Sequence, residues 1–255
     1  MHQSNNTRDK VRPVDQPQDG RRKRRVLTKN RMGWASTSLS ELSEHFLAFC
    51  RAGNCPEVAP ALDLGAGYGS AALAACECGA WVIANDLESS HLADLVGRQR
   101  LRLAIGSFPR DLHFEDGSLG AVHASSVLHF LTGNQLEYGM KVIARWLRPG
   151  GKLFVQAATP WQQPFAVFLP EFERRCAAGM KWPGFVDRIG AWSTHKQISL
   201  MPKALHLLDA DTLGAVAEEA GLRIDRLWYY RRTDFPVRLR LDGRESVGLI
   251  ATKPL

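Results

Sequence analysis

A chain of 255 residues, 45% hydrophobic and 23% charged, has the length and apolar content for one globular domain with a sizeable core, which excludes a wholly disordered or fibrous protein. The net charge of +7 invites a nucleic-acid partner until it is located. Residues 1–31 hold ten Lys or Arg against three Asp, so residues 32–255 sum to zero and the basic balance belongs to a polar leader rather than to the folded body.

In chain order, the leader over residues 1–31 reads as disordered and carries the run Arg21-Arg22-Lys23-Arg24-Arg25. Trp34 to Ala52 reads as a first helix, because Ser38 and Glu41 have capping-box spacing and Leu39, Leu42, Phe46 and Phe49 recur at helical intervals. Ala59–Leu64 is a short buried strand, and an Ala-rich helix runs from about Ser70 to Cys78 before Gly79. A second strand over Trp81–Ala84, a helix over Ser89–Arg98, and strands over Leu101–Ile105 and Ala121–Val127 follow. Leu136, Met140, Ile143 and Leu147 mark one face of a helix that Arg148-Pro149-Gly150-Gly151 stops, and Lys152–Ala157 is a fifth strand. Residues 158–208 lose the rhythm and read as an insert rich in Trp and Phe. A helix over Asp211–Ala220 and strands over Leu222–Tyr230 and Ser246–Thr252 complete the chain.

Strands alternating with helices imply an α/β domain over residues 32–255: a Rossmann-like, doubly wound, seven-stranded and mostly parallel sheet with helices on both faces. No signal-peptide core and no bilayer-length apolar run is found, so no membrane is expected. Five cysteines without a paired spacing fit a reduced, cytoplasmic setting and no metal site.

The informative segment is Ala61-Leu62-Asp63-Leu64-Gly65-Ala66-Gly67-Tyr68-Gly69, between the first sheet strand and the first sheet helix, where a doubly wound sheet binds nucleotides. Glycine permits the sharp turn, and the following helix offers unpaired N–H groups to an anionic group. Asp86 ends the next strand, placed to accept hydrogen bonds from ribose hydroxyls. A dinucleotide dehydrogenase and a methyltransferase both use such a turn. The dehydrogenase fingerprint wants a glycine where Ser70 stands.

Asp63 with Gly65, Gly67 and Gly69 resembles instead the class I S-adenosylmethionine-dependent methyltransferases. The resemblance runs over roughly residues 34–253. It includes Asp111–Ser118, Ser125-Ser126-Val127-Leu128-His129-Phe130-Leu131, Trp146–Leu153 and Ala217–Leu222, which are similar to the small-molecule branch of that family. It implies S-adenosylmethionine as cofactor, S-adenosylhomocysteine as product, and cofactor contacts at Asp63, Gly65, Ala66, Gly67, Tyr68, Asp86, Leu87, Ser107, Phe108 and Ser125. Two positions depart from the pattern. No acid stands near Ile105-Gly106-Ser107-Phe108-Pro109 to meet the adenine amino group, so Phe108 and Ser107 are expected there, and Gly120 replaces the usual acid opening the fourth strand.

Methyl transfer from a sulfonium requires in-line alignment above all, and a protonated oxygen or nitrogen acceptor also gains from a general base. His129, just past the fourth strand, is the expected base, ahead of His113 and His123. Trp161 and Gln162, at the head of the aromatic insert, are expected beside a small-molecule acceptor. Two other functions stay open: methylation of RNA or protein with the Arg-rich leader as a docking arm, and a non-catalytic binder of the cofactor. Against nucleic bases, the fourth strand ends in His123-Ala124-Ser125-Ser126 and not in an Asn/Asp-Pro-Pro-aromatic signature.

Overall fold

The structure, a computed structural model, describes residues 25–30, 33–36 and 38–255. The rest of the leader, including residues 21–24 of the basic run, lies outside the described residues. Its last part is folded: β1 (Arg25–Leu27) pairs antiparallel with β2 (Trp34–Ser36). Residues 25–27 of the basic leader are therefore strand.

Seven strands form the central sheet: β3 (Ala61–Leu64), β4 (Val82–Asp86), β5 (Leu101–Ile105), β6 (Leu119–Ser125), β7 (Leu147–Ala158), β10 (Arg223–Tyr230) and β11 (Ser246–Thr252). Their order is β10-β11-β7-β6-β3-β4-β5. The five from β3 to β7 are mutually parallel, while β11 runs antiparallel between β7 and β10. The dinucleotide-binding fold has six parallel strands, so this inserted antiparallel strand sets the sheet apart from it. Strands β3, β4 and β11 are buried along their whole length, as expected where both faces of a sheet are covered.

Side chains alternate between two cores. Leu62, Leu64, Val122, Ala124, Leu153 and Val155 pack against α3 (Gly133–Trp146) and α5 (Ala210–Glu219). Ala61, Val82, Ala84, Ala121 and Phe154 pack against α1 (Glu41–Arg51) and α2 (Ser70–Glu77). By the same alternation Asp63 and His123, paired in register on β3 and β6, face the α1 side. Helix α3 starts on a capping box between Thr132 and Gln135, and α5 on Asp209, whose side chain accepts from Thr212 N at 2.7 Å.

The insert at 158–208 builds its own cluster. It holds α4 (Leu169–Ala177) and the short pair β8 (Phe185–Val186) and β9 (Leu205–His206), with Phe165, Phe168, Phe172, Val186, Ile189, Leu205 and Leu207 packed together.

Two expected elements differ. The first helix starts at Glu41 because Ser40, not Ser38, caps it, accepting from Ser43 N at 3.1 Å; Trp34–Ser36 is strand. Ser89–Arg98 is not one helix but two isolated tight turns, Ser89–His91 and Ala93–Leu95. The carboxylates of Asp86 and Glu88 take the N–H groups of Glu88 and Ser90, which competes with a regular helix start. Gly120 has a local reason: a Cβ there would stand 2.5 Å from Asn54 O and 2.6 Å from Ala59 O. Among the described residues no helix is long and apolar enough to cross a membrane.

Candidate active site

The turn from β3 into α2 is held by its neighbours. Gly65 has φ +66°, and a Cβ there would meet Val127 Cγ2 at 2.8 Å, so both backbone and packing require glycine. Asn85, at the end of β4, stitches three loops: its Oδ1 accepts from Gly65 N at 3.4 Å, and its Nδ2 donates to Ala104 O at 2.9 Å and Gly106 O at 3.0 Å. The sequence reading passed over this residue. Next to it, Asp86 lies on the same edge as the glycine turn. Its Oδ2 accepts from Gly67 N at 2.9 Å, and its Oδ1 accepts from Glu88 N at 2.9 Å and from His91 Nδ1 at 3.2 Å. Lys29 N donates to His91 Nε2 at 3.0 Å, which leaves the ring proton on Nδ1 and ties the segment after β1 to Asp86.

A second polar group sits behind the turn. Asp63 is 3% exposed, and His123 Nδ1 lies 2.7 Å from its Oδ1. His123 Nε2 lies 3.2 Å from Ser43 Oγ, which lies 3.0 Å from Ser40 Oγ. The Oδ2 atom of Asp63 is buried without a hydrogen-bond partner. The signal for this pair was present in two matching runs, Ala61-Leu62-Asp63 and Ala121-Val122-His123, each two apolar residues followed by a polar one within a buried strand.

One cavity of about 340 Å³ joins these groups to a more distant wall. Asp63, Gly65, Ala66, Gly67, Asp86, Leu87, Ser107, Phe108 and Ser125 all line it, as do His91, Asn85 and His123. It is also lined by Ser126, Phe130, Leu131 and Gln135 before and on α3, Gln156 on β7, Arg232 and Asp234 after β10, and Thr28, Asn30, Trp34, Ala35, Ser38 and Leu39 before α1. Ser126 has φ +61°; its N donates to Gln156 O at 2.8 Å and its Oγ accepts from Gln156 Nε2 at 2.9 Å. The Tyr230 hydroxyl donates to Gln156 Oε1, and burial pushes that phenol up from its ordinary pKa. Arg232 meets Asp234 through two parallel bonds of 2.8 and 2.7 Å, and the fully buried Glu245 collects the N–H groups of Arg232, Leu241 and Gly243.

Four expected site residues stand elsewhere. Tyr68 donates its hydroxyl to Leu27 O at 3.3 Å and rests its ring 5.0 Å from His91, bracing β1 without lining the cavity. His129 is buried behind the wall, its Nδ1 accepting from Ala158 N at 3.3 Å, because the turn Leu128–Phe130 gives the cavity Phe130 instead. Burial, aided by Arg232 and His206, lowers its pKa to about 3, so it is neutral and a weak base at pH 7. Trp161 packs edge-on against Phe172 and Tyr229 with Arg244 over its ring, and Gln162 Nε2 donates to Glu245 O at 3.0 Å. Both anchor the insert, and no residue of 158–208 lines the cavity. Among the described residues, no group of three or more His, Cys, Asp or Glu is gathered to hold a metal ion.

The methyltransferase domain family matches residues 61–151, the span from β3 through β6 and α3 into β7. An uncharacterised methyltransferase of Synechocystis sp. is 26% identical over 173 residues, covering 66% of this chain and 69% of that protein. Residues 61–151 are a methyltransferase domain, and the chain has the fold of class I S-adenosylmethionine-dependent methyltransferases.

Solved structures show the same fold. An S-adenosylmethionine-dependent methyltransferase from Mesorhizobium loti superposes with TM-score 0.56 at 19% identity, over 79% of this chain and 95% of that one. The 1,6-didemethyltoxoflavin-N1-methyltransferase of Burkholderia thailandensis, solved with 1,6-didemethyltoxoflavin and S-adenosylhomocysteine bound, superposes with TM-score 0.55 at 16% identity, over 84% and 79%.

Proposed function

We propose that the methyltransferase moves the methyl group to an oxygen or nitrogen of a small-molecule acceptor, bound in the half of the cavity beyond the glycine turn. The cofactor would lie across the ends of β3, β4 and β5. Asp86 would take the ribose hydroxyls, and the turn at Gly65–Gly67 with the first residues of α2 the carboxylate. Asp63 Oδ2, a buried carboxylate oxygen lacking a partner, suits the ammonium group of the same ligand. Phe108 and Ser107, with Leu87, would border the adenine, and Ser125 would face the transfer point. When bound, S-adenosylmethionine supplies a methyl carbon already activated by its sulfonium, so the chain's own work is alignment and exclusion of water.

The observation that carries the acceptor class is the shape of the far wall. Trp34, Leu39, Phe130 and Leu131 give an apolar lining, while Gln135, Gln156, Ser126 and the Arg232–Asp234 pair add a few polar groups. Side chains from four separate stretches converge on that space, which favours a compact acceptor over a polymer laid along a groove. Arg232 is the one Arg or Lys among the described residues lining it, and Asp234 already engages it, so the described lining offers no run of free cations to a phosphate backbone.

The test is transfer of isotope-labelled methyl to host extract separated into small-molecule, RNA and protein fractions. Label in the small-molecule fraction is expected. Label confined to RNA or protein overturns the acceptor class and leaves methyl transfer standing.

A further inference from the structure

We infer that His123 is a positioning residue for the amino-acid end of the cofactor, acting through Asp63. The inference rests on the cofactor assignment and not on the acceptor class. Nothing in the glycine-turn pattern assigns a role to this position, which belongs to a different strand.

The argument begins from charge. Asp63 lies within the sheet's α1 side at 3% exposure, where a carboxylate needs partners for both oxygens. Oδ1 has one, His123 Nδ1 at 2.7 Å, and Oδ2 has none. Asp63 lines the cavity, and the one Arg or Lys among the described residues lining that cavity is Arg232, which Asp234 holds through two bonds. The counter-charge for Oδ2 is therefore to be supplied by the ligand. S-adenosylmethionine and its product both carry a primary ammonium, which donates hydrogen bonds; the sulfonium has no proton to donate.

A carboxylate can turn about its last bond, so which oxygen faces the cavity is decided by what holds the other. His123 is the holder, and α1 fixes His123 from two directions. Phe46 stacks on the imidazole with centroids 4.7 Å apart and planes 19° from parallel. Ser43 Oγ lies 3.2 Å from Nε2 and is itself set by Ser40, the residue that caps α1. With Nδ1–H donated to Asp63, Nε2 is left to accept from the Ser43 hydroxyl. The cap of α1 thus sets the ring, the ring sets the carboxylate, and the carboxylate presents one oxygen to the ligand.

The test compares two ligands by calorimetry: S-adenosylhomocysteine, which has the ammonium, and 5′-methylthioadenosine, which lacks the whole amino-acid end. In His123→Leu, affinity for S-adenosylhomocysteine should fall by about tenfold or more, the value of a charge-assisted hydrogen bond, while that for 5′-methylthioadenosine stays within about twofold. His123→Asn keeps an N–H donor near the position of Nδ1 and should recover most of the difference. Binding of 5′-methylthioadenosine doubles as a check that each variant folds. If Leu proves too disruptive to fold, Ser43→Ala, which frees Nε2, should give the same ligand-selective loss at smaller size. Equal losses for both ligands, no loss for either, or an Asn variant no better than Leu overturns the inference. Wild-type protein that binds neither ligand would instead remove the cofactor assignment beneath it.

Discussion

The two halves of the cavity are built in opposite ways. The cofactor half comes from consecutive pieces of chain: β3, its glycine turn, α2, and Asn85 and Asp86 at the end of the neighbouring strand. The rest of the lining is assembled from residues 28–39, 126–135, 156 and 232–234, which meet only once the sheet has formed. A site made of one supersecondary unit is written in adjacent letters, whereas one made of distant stretches has no local pattern to read. Backbone geometry sets the first half, and side-chain networks such as Ser126–Gln156–Tyr230 set the second.

Substitutions in the two halves should therefore separate. The largest effect is expected for Asp86→Ala. It removes the proposed ribose contacts together with the bonds to Gly67 N, Glu88 N and His91, and should weaken S-adenosylhomocysteine by about 100-fold or more in calorimetry. A variant that binds within a few-fold of wild type would break the assignment of that half. Next comes Gly65→Ala, which meets both a left-handed backbone and Val127 at 2.8 Å, and should cost about 2–4 kcal/mol in denaturant unfolding. A loss below about 1 kcal/mol would show that the turn relaxes easily.

Acid sharpens the comparison from the far side. Burial lowers His129 to about 3 and His206 to about 4, both from an ordinary value of 6.5. Between 6.5 and those values the unfolded chain binds protons that the native protein refuses. The contribution to stability is therefore complete above pH 6.5 and is lost as pH falls. Each histidine adds a slope of at most about 1.4 kcal/mol per pH unit, so stability should drop by up to about 3 kcal/mol from pH 7 to 5.5. Denaturant curves at the two pH values measure it, and His206→Leu should halve that drop. The smallest effect is expected for Gln162→Ala, which loses the bond to Glu245 O: about 1 kcal/mol of stability, with S-adenosylhomocysteine affinity unchanged. A change in affinity there would return the insert to the site.

These differences follow what the sequence could carry. Asp63, Gly65, Gly67 and Asp86 were legible because turn chemistry and spacing act over a few residues, and the strand and helix rhythm gave the sheet. His123 was ranked behind His129, and as a base, because its partnership with Asp63 depends on strand register, which the matching runs do not fix. Trp161 and Gln162 were read as an acceptor wall because an aromatic run without periodicity does not show which way it faces; here the rings of the insert close on one another. His129 sat at the right end of the right strand, but a single turn of chain points Phe130 into the cavity in its place. The leader's polar composition concealed Val26 and Leu27, which pair with Ala35 and Trp34, two residues that line the cavity.

A crystal structure with S-adenosylhomocysteine bound tests the assignment most directly. The ribose hydroxyls should lie on the Asp86 carboxylate and the ammonium on Asp63 Oδ2, with the sulfur turned toward Gln156 and Phe130. A ligand lying outside the cavity, or reversed so that the ribose meets Asp63, would contradict it.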